Sequence, residues 1–453
     1  MSNVLAVVLA GGEGTRLKPL TAQRCKPAVG FHGRHRVVDF VLSNLANSGI
    51  CSIWMLVQYE PRQLIEHVAR AWPARQSTGE PSIRVVAAQE SEGGRGFRGT
   101  ADAVFQNIER IEAERPDIVA IFSADHIYRM DVRQMLAFHR AKGADVTVAT
   151  LPVPLHECRH FGIAQTDAHR RITGFAEKPL AARPLPGSRT HALASMGNYI
   201  VETGVLLQQL RRMHDSGGTD FGQHLLPALV KTHKVMAYDF TTNVVPGVAG
   251  TEERAYWRDV GTLDAWFDAQ FDAVGLHPRF GLTNPEWPIH TSADPAGPAL
   301  VEGGAVRHSV LGSGSVVDGA RVERTILRSG VHVQAGARLE NCVVMDGSRI
   351  RQGACVQGAI IGEDNDVPPA EFIGMDMARD RNRFMVTSRG IVVVPAGYFP
   401  RAEDRPPPGR MQRLAPPAGI AVAKFARPLS PGFAPSPSVK PSEGIDLPPS
   451  QAA

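Results

Sequence analysis

A repeat of 17 residues runs through the C-terminal part of this 453-residue chain. Its apolar positions fall in three phases: Val310, Leu327, Val344 and Ile361; Val316, Val333 and Ile350; and Val322, Leu339 and Val356. Within each repeat they are six, six and five residues apart, and Gly-Ala pairs at 319, 336 and 353 keep the same step. Such a short period with small residues at corners predicts a parallel β-helix of three-sided coils. A prism of this kind commonly mediates contacts between subunits.

The chain before the repeat alternates between two patterns. Short apolar runs at 53–57, 118–122 and 146–149 are candidates for buried strands, and residues 101–108 have a helical pattern. This alternation predicts an α/β domain with a mostly parallel sheet, in which ligands bind at the carboxyl ends of the strands.

Composition divides the chain into four expected parts: a domain at 1–275, a linker at 276–298, the β-helix at 299–400 and a tail at 401–453. The linker is rich in Pro, Trp and Thr, and 13 prolines lie between Pro400 and Ala453. Since the tail cannot bury enough apolar surface to fold alone, we expect it to be disordered and solvated. A role of the tail as a partner's ligand is the alternative.

Charge and cysteine content exclude several classes of protein. Forty-nine basic and 45 acidic residues leave a net charge of +4, and the sequence has no basic stripe typical of nucleic-acid binding. Five widely spaced cysteines, with no Cys-x-x-Cys pair, favour free thiols in a reducing compartment. The short N-terminal apolar run is not typical of a signal peptide or a membrane span, so we expect a cytoplasmic protein.

A glycine-rich loop follows the first apolar run, as Gly-Gly-Glu-Gly-Thr-Arg at 11–16. It lacks the third glycine of the dinucleotide fingerprint, where Leu17 stands, and the Gly-Lys-Ser/Thr end of a Walker A loop. Glycines still allow successive N–H groups to approach an anion closely. An ordinary strand-to-helix turn is the alternative, but Arg16, Lys18 and Lys26 favour phosphate.

Two carboxylates are candidates for a metal site. Asp125 follows directly on a predicted strand, and Asp259 precedes an apparent helix that begins at Leu263. Two carboxylates from distant segments can share one Mg²⁺ with phosphate oxygens and water. From spacing alone, Asp259 is equally interpretable as a helix cap.

Gly99 and Thr100 stand at the start of the predicted helix at 101–108. They either face a flat ligand or a phosphate, or Thr100 simply caps the helix. The sequence contains no Gly-x-Ser-x-Gly elbow, so it does not support a serine hydrolase.

Together these motifs resemble the sugar-phosphate nucleotidylyltransferases, and within them the bacterial branch that makes ADP-glucose. The resemblance covers residues 4 to about 398 and rests on the segments 11–21, 26–29, 36–40, 43–44, 47–50, 98–103, 124–128, 161–162, 177–179, 194–197 and 256–262. It implies a Rossmann-like nucleotidyltransferase domain with a mostly parallel sheet, followed by a C-terminal left-handed parallel β-helix.

The implied reaction joins ATP and α-D-glucose 1-phosphate to give ADP-glucose and pyrophosphate, on the way to glycogen. Alternatives are the same chemistry with another nucleoside triphosphate, a non-catalytic regulatory subunit, and an acyltransferase suggested by the β-helix alone. The resemblance also implies a homotetramer controlled by small-molecule effectors.

The resemblance further implies the role of each site residue. The triphosphate would lie on the loop formed by Ala10, Gly11, Gly12, Gly14, Thr15 and Arg16, with Arg16 and Lys26 offsetting the charge of the leaving pyrophosphate. The rest of the nucleotide would contact Gln89, Phe97, Gly99 and Thr100. Mg²⁺ would be held by Asp125 and Asp259. Glucose 1-phosphate would be bound by Gly162, Glu177, Lys178 and Ser195.

Two positions depart from the pattern of the family. Phe97 stands where many relatives have tyrosine, so a hydroxyl contact is lost. Gln23 replaces the allosteric lysine of the relatives that fructose 1,6-bisphosphate activates, although Arg24 remains. The sequence leaves the activator open.

Overall fold

The structure, a computed structural model, describes residues 3–73, 81–88, 96–248, 250–293 and 295–401. Gln89 and the tail at 402–453 lie outside the described residues, so the expectations for them stay predictions. The α/β part and the repeat belong to one compact unit. In the described part, no helix is long and apolar enough to cross a membrane.

The described residues of the first part of the chain form thirteen strands and eight α-helices. The strands are β1 (Val4–Ala10), β2 (Gly30–Phe31), β3 (His35–Arg36), β4 (Ser52–Val57), β5 (Ser82–Ala87), β6 (Ile118–Ser123), β7 (His126–Tyr128), β8 (Val146–Pro154), β9 (Gly162–Thr166), β10 (Ile172–Glu177), β11 (His191–Glu202), β12 (Val235–Asp239) and β13 (Trp257–Asp259). The helices are α1 (Val37–Asn47), α2 (Arg62–Ala71), α3 (Thr100–Phe105), α4 (Ile108–Glu114), α5 (Val132–Lys142), α6 (Thr203–Asp215), α7 (Leu226–Thr232) and α8 (Leu263–Asp272).

The main sheet is parallel in one half and mixed in the other. Strands β5, β4, β1 and β6 lie side by side and run parallel, as the apolar runs predict. The 12-residue β11 then adds antiparallel to β6, and it also pairs with β8 and β9. Because β1 is central, the loop that follows it opens at the carboxyl edge of the sheet, where an α/β fold binds ligands.

The predicted helix at 101–108 is two helices. Helix α3 ends at Phe105 and α4 begins at Ile108. Between them, the side chain of Asn107 donates to the carbonyl oxygen of Ala103 at 2.9 Å. A side chain that bonds to nearby backbone competes with the helical ladder, which explains the break.

The repeat region forms the predicted parallel β-helix. Its strands are β14 (Leu300–Glu302), β15 (Ala305–Arg307), β16 (Val310–Leu311), β17 (Val316–Asp318), β18 (Arg321–Leu327), β19 (His332–Val333), β20 (Arg338–Val344), β21 (Arg349–Ile350), β22 (Cys355–Gln357), β23 (Ala359–Ile361), β24 (Asp366–Val367), β25 (Phe372–Ile373), β26 (Met385–Val386) and β27 (Val392–Val394), with α9 (Met377–Arg381) inserted before β26. Parallel pairing of successive coils builds the sides, for example β14–β17–β19–β21–β24.

The register predicted for the first coil is wrong by one residue. Leu311 pairs with Leu327 and Val317 with Val333, which is a step of 16, whereas Leu327 pairs with Val344 at the predicted step of 17. The corner at 318–321 is one residue shorter than the corner at 334–338, so Val317 reaches the core and Val316 is only half-buried. Likewise Leu311, and not Val310, packs against the β-helix core.

The β-helix packs against the α/β part through an apolar layer and a buried arginine. On the side built by β16, β18, β20, β23 and β27, Ile326 and Val343 point outward and join Phe31 in one buried cluster. The Nη1 of Arg328 donates to the carbonyl oxygens of His32 at 2.8 Å and His35 at 3.2 Å. The coil is therefore fixed against the domain that carries the loop.

Candidate active site

Ala10 is the last residue of β1, and the glycine loop turns away from the sheet directly after it. Gly14 has a φ of 67°, in the left-handed region that favours glycine. A Cβ on Gly14 would also stand 3.0 Å from the Cβ of Lys26, so the loop packs closely on that lysine. The short turn Thr15–Leu17 then leaves Thr15 and Arg16 exposed and buries Leu17.

Strand pairing brings Asp125 and Asp259 together across 134 residues. Asp125 lies in the turn between β6 and β7, and β13 pairs antiparallel with β7 so that Asp259 stands opposite His126. The Nζ of Lys26 donates to Oδ2 of Asp125 at 2.9 Å and to Oδ1 of Asp259 at 3.0 Å. The three charged groups that the sequence singled out thus form one cluster.

The opposite charges in this cluster stabilise one another. Burial opposes the ammonium of Lys26, but the two carboxylates outweigh it and raise the pKa of Lys26 above its usual value. Burial alone would raise the pKa of Asp125, but His126, Lys26 and the Ser123 hydroxyl hold that pKa well below its usual range. The cluster therefore keeps both Asp125 and Lys26 charged at neutral pH.

The alternative in which Asp259 caps a helix is wrong. Helix α8 begins after Thr262, whose Oγ1 accepts from the N–H of Ala265 at 3.2 Å. A Cβ on Gly261 would stand 3.0 Å from both Nη2 of Arg16 and Oδ1 of Asp259. A glycine at 261 thus leaves the space in which Arg16 and Asp259 approach each other.

Asp125, His126 and Asp259 can each offer one ligand atom, and these atoms lie within 4.8 Å of one another. Two of the three groups are carboxylates, the hard oxygen ligands that divalent cations such as Mg²⁺ prefer. The donors present therefore fit a divalent cation.

A cavity of about 360 Å³ opens beside the cluster, within the size range of small-ligand sites. It is lined by Leu9, Gly11, Gly12, Lys26, Pro27, Leu56, Gln58, Tyr59, Phe97, Arg98, Gly99, Thr100, Ala103, Ser123 and Asp125. The lining includes six of the eleven residues predicted for the nucleotide, whereas Gln89 lies outside the described residues and the other four are not part of the lining: Ala10, Gly14, Thr15 and Arg16. Gln58, which the sequence did not single out, accepts from the N–H of Phe97 at 2.6 Å and fixes that wall.

Gly99 and Thr100 are tied to a segment about 120 residues away. The alternative in which Thr100 caps its own helix is wrong, because its Oγ1 donates to Oδ2 of Asp220 at 2.8 Å and accepts from the N–H of Phe221 at 3.0 Å. Asp220 was missed in the sequence, although an aspartate before a helical pattern is a recognisable cap. Its Oδ1 accepts from the N–H of Gly222 at 2.8 Å.

Of the four residues predicted for the sugar phosphate, Gly162, Glu177 and Ser195 lie on β9, β10 and β11. Lys178 directly follows β10, and none of the four lines this cavity. A Cβ on Gly162 would stand 2.8 Å from Oε2 of Glu177, so the two residues are in close contact. The Nζ of Lys178 lies 2.9 Å from Oε1 of Glu177. Ser195 is buried, and its Oγ accepts from the N–H of Gly197 at 3.2 Å.

Contacts of His126 connect this second group to the carboxylates. A Cβ on Gly197 would stand 3.8 Å from Cε1 of His126. The His126 ring lies 4.6 Å from that of Trp257, which lies 5.6 Å from that of Phe161, the residue before Gly162. Asp125 and Asp259 therefore adjoin both the cavity and the residues predicted for the sugar phosphate.

The fold and this arrangement define a nucleotidyltransferase with a C-terminal β-helix. Residues 5–274 match the family model described as nucleotidyl transferase, and residues 298–394 match one described as GlmU-like, C-terminal hexapeptide.

Comparison with curated relatives identifies the group of nucleotidyltransferases to which the chain belongs. A glucose-1-phosphate adenylyltransferase of Anaeromyxobacter sp. (strain Fw109-5) is 43% identical over 408 residues, which cover 87% of this chain and 98% of the relative. Proteins of the same name from Thermodesulfovibrio yellowstonii and Thermus thermophilus are each 44% identical over 87% of this chain, and over 96% and 98% of their own lengths. The chain belongs to the nucleotidyl transferase family and, within it, to the glucose-1-phosphate adenylyltransferases.

Proposed function

We propose that this enzyme transfers the adenylyl group of ATP to α-D-glucose 1-phosphate and releases pyrophosphate. The observation that carries the proposal is the 43% identity to a curated glucose-1-phosphate adenylyltransferase over nearly the whole of that relative. The cluster of Lys26, Asp125 and Asp259 beside a cavity supports it. The product, ADP-glucose, serves glycogen synthesis.

The reaction is an in-line exchange at the α-phosphorus of ATP. A phosphate oxygen of glucose 1-phosphate forms a new P–O bond, and the P–O bond to the departing pyrophosphate breaks with its electron pair. No covalent bond to the protein is needed, so the protein contributes by positioning the substrates and by neutralising charge.

The residues of the loop would hold the triphosphate. Backbone N–H groups of Gly11 and Gly12, at the cavity wall, can face phosphate oxygens. Arg16, exposed beside Asp259, would offset charge on the leaving pyrophosphate. Phe97 and Gly99 would contact the nucleotide from the opposite wall.

We propose Mg²⁺ as the cation that Asp125 and Asp259 hold. When bound, it would neutralise phosphate charge and orient both substrates. Dialysis against a chelator should abolish pyrophosphate release, and added Mg²⁺ should restore it. Full activity after chelation contradicts this assignment.

Glu177 and Lys178 would bind glucose 1-phosphate, the glutamate through sugar hydroxyls and the lysine through the phosphate. The charge of Lys178 is already held 2.9 Å from Glu177, so the two act as a unit. Lys178→Gln should raise KM for glucose 1-phosphate at least about tenfold, as expected for loss of one charge-assisted hydrogen bond. Lys231→Gln, an exposed lysine of α7, is the matched control.

Pyrophosphate release with glucose 1-phosphate and each of ATP, UTP, dTTP and GTP tests the proposal. Preference for ATP is expected, and preference for another triphosphate overturns the adenylyl assignment. No release with any of them would favour a non-catalytic subunit.

We further propose that residues 1–275 carry catalysis, that residues 299–400 mediate assembly into a homotetramer, and that small-molecule effectors regulate the enzyme. The apolar first strand of the β-helix is exposed, with Leu300 58% and Val301 51% accessible, which suits a subunit contact. Mass measurement in solution tests the tetramer. Candidate effectors added to the pyrophosphate assay test the regulation.

A further inference from the structure

The ammonium of Lys26 lies between the two carboxylates proposed to hold the cation. Its Nζ is 2.9 Å from Asp125 and 3.0 Å from Asp259, and its side chain is 8% exposed. In the proposed function, the same ammonium offsets negative charge on the leaving pyrophosphate. Lys26 therefore has two possible sets of partners.

The backbone of Lys26 is closely packed, whereas its ammonium stands at the end of a flexible side chain. Lys26 begins a buried turn, Lys26–Ala28, and Gly14 packs against its Cβ. A lysine carries its charge on a flexible four-carbon stem. Because Lys26 also lines the cavity with Gly11 and Gly12, its ammonium can turn from the carboxylates to the loop.

We infer that Lys26 is an internal counter-ion, which a divalent cation displaces from between Asp125 and Asp259 and thereby releases towards the triphosphate loop. The inference rests on the proposed function only for the assignment of the two carboxylates to a cation. An ammonium and a divalent cation on the same oxygens would repel each other strongly at this separation. The two carboxylates with Lys26 carry one net negative charge, so exchange for a divalent cation leaves the pair neutral and frees one positive charge.

Binding of Mn²⁺ alone, followed by electron paramagnetic resonance, measures this competition without nucleotide or sugar. Lys26→Gln should bind Mn²⁺ at least about fivefold more tightly than the wild type, as expected for removal of one positive charge about 4 Å away. Lys231→Gln, which makes the same charge change on the exposed surface of α7, should leave the affinity unchanged. Equal or weaker binding by Lys26→Gln overturns the inference.

Thermal unfolding is a second measurement, which is needed because Lys26→Gln is expected to destabilise the protein. Mn²⁺ should raise the Tm of Lys26→Gln more than that of the wild type, because the cation replaces the missing charge. An equal rise contradicts the inference. In the double variant with Asp125→Asn the tight binding should disappear, and its persistence would place the Mn²⁺ elsewhere and overturn the inference.

The titration separates this inference from the proposed function. If Lys26→Gln binds Mn²⁺ more tightly but the wild-type enzyme releases no pyrophosphate, the counter-ion role of Lys26 is supported and the proposed adenylyl transfer is wrong. If the wild type turns over normally but Lys26→Gln has an unchanged affinity for Mn²⁺, only the counter-ion role of Lys26 is wrong.

Discussion

The carbonyl oxygen of Thr219 lies 2.5 Å from the position that a Cβ on Gly99 would occupy. The same oxygen accepts from the N–H groups of Ala101 and Asp102, each at 2.9 Å. Gly99 has an extended backbone, so close approach, and not an unusual φ, makes a glycine necessary here.

Gly99→Ala should therefore push apart the 219–222 segment and the cavity wall at Gly99. We expect a loss of about 2 kcal/mol in the free energy of unfolding, typical of overpacking, and a raised KM for ATP. Urea unfolding and initial rates measure the two effects. Gly204→Ala is the matched control, since an added Cβ there meets no atom within 4 Å.

Asp125→Asn should lose at least about 3 kcal/mol of transition-state stabilisation, as for other preorganised electrostatic groups. The measurement is kcat/KM for pyrophosphate release. Asp215→Asn, at the exposed end of α6, should behave as the wild type. Near-normal turnover of Asp125→Asn would refute the role of this carboxylate in holding a cation.

Glu363 ties the β-helix to the loop before Lys26 through a two-pronged ion pair with Arg24. Burial alone would raise the pKa of Glu363, but the hydrogen bonds and charge of Arg24 lower it. A carboxyl whose pKa is lower in the folded chain stabilises the fold above its unfolded pKa, about 4.3, and loses that contribution as the pH falls through the folded pKa.

Glu363→Gln should hence lower the free energy of unfolding at pH 7 by about 3 kcal/mol, because it leaves Arg24 buried and unpaired. Below the pKa window of Glu363 the variant and the wild type should converge. Urea unfolding across pH 3 to 7 measures this, with the exposed Glu302→Gln as control. A constant difference at all pH values would contradict the linkage.

The register of the first coil buries Val317 more deeply than its neighbour Val316. Val317→Ala should destabilise the chain by about 2 kcal/mol, because Val317 is fully buried in the β-helix core. Val316→Ala should cost well under half as much, because Val316 is half-buried. The ratio of the two losses in urea unfolding tests the step of 16, and the reverse ratio would support the register expected from the sequence.

Features that depend on near neighbours in the chain could be predicted from local sequence patterns. A 17-residue repeat specifies which side chains face inward, and a glycine loop after a buried strand specifies a backbone that can approach an anion. These features are local because periodicity and φ depend on near neighbours. The repeat predicts Val316 as the inward residue of the first coil, and only the pairing of coils shows that its neighbour Val317 takes that place.

The contacts between charged groups could not be predicted in this way, because they join distant segments of the chain. Lys26 contacts carboxylates 99 and 233 residues away, and Thr100 is held by Asp220 across 120 residues. For Asp259 and Thr100 the sequence also offered a local alternative, a helix cap, that the pattern fits equally well. The pairing of β13 with β7 removed that alternative for Asp259, because the strand register fixes which side chain stands beside Asp125.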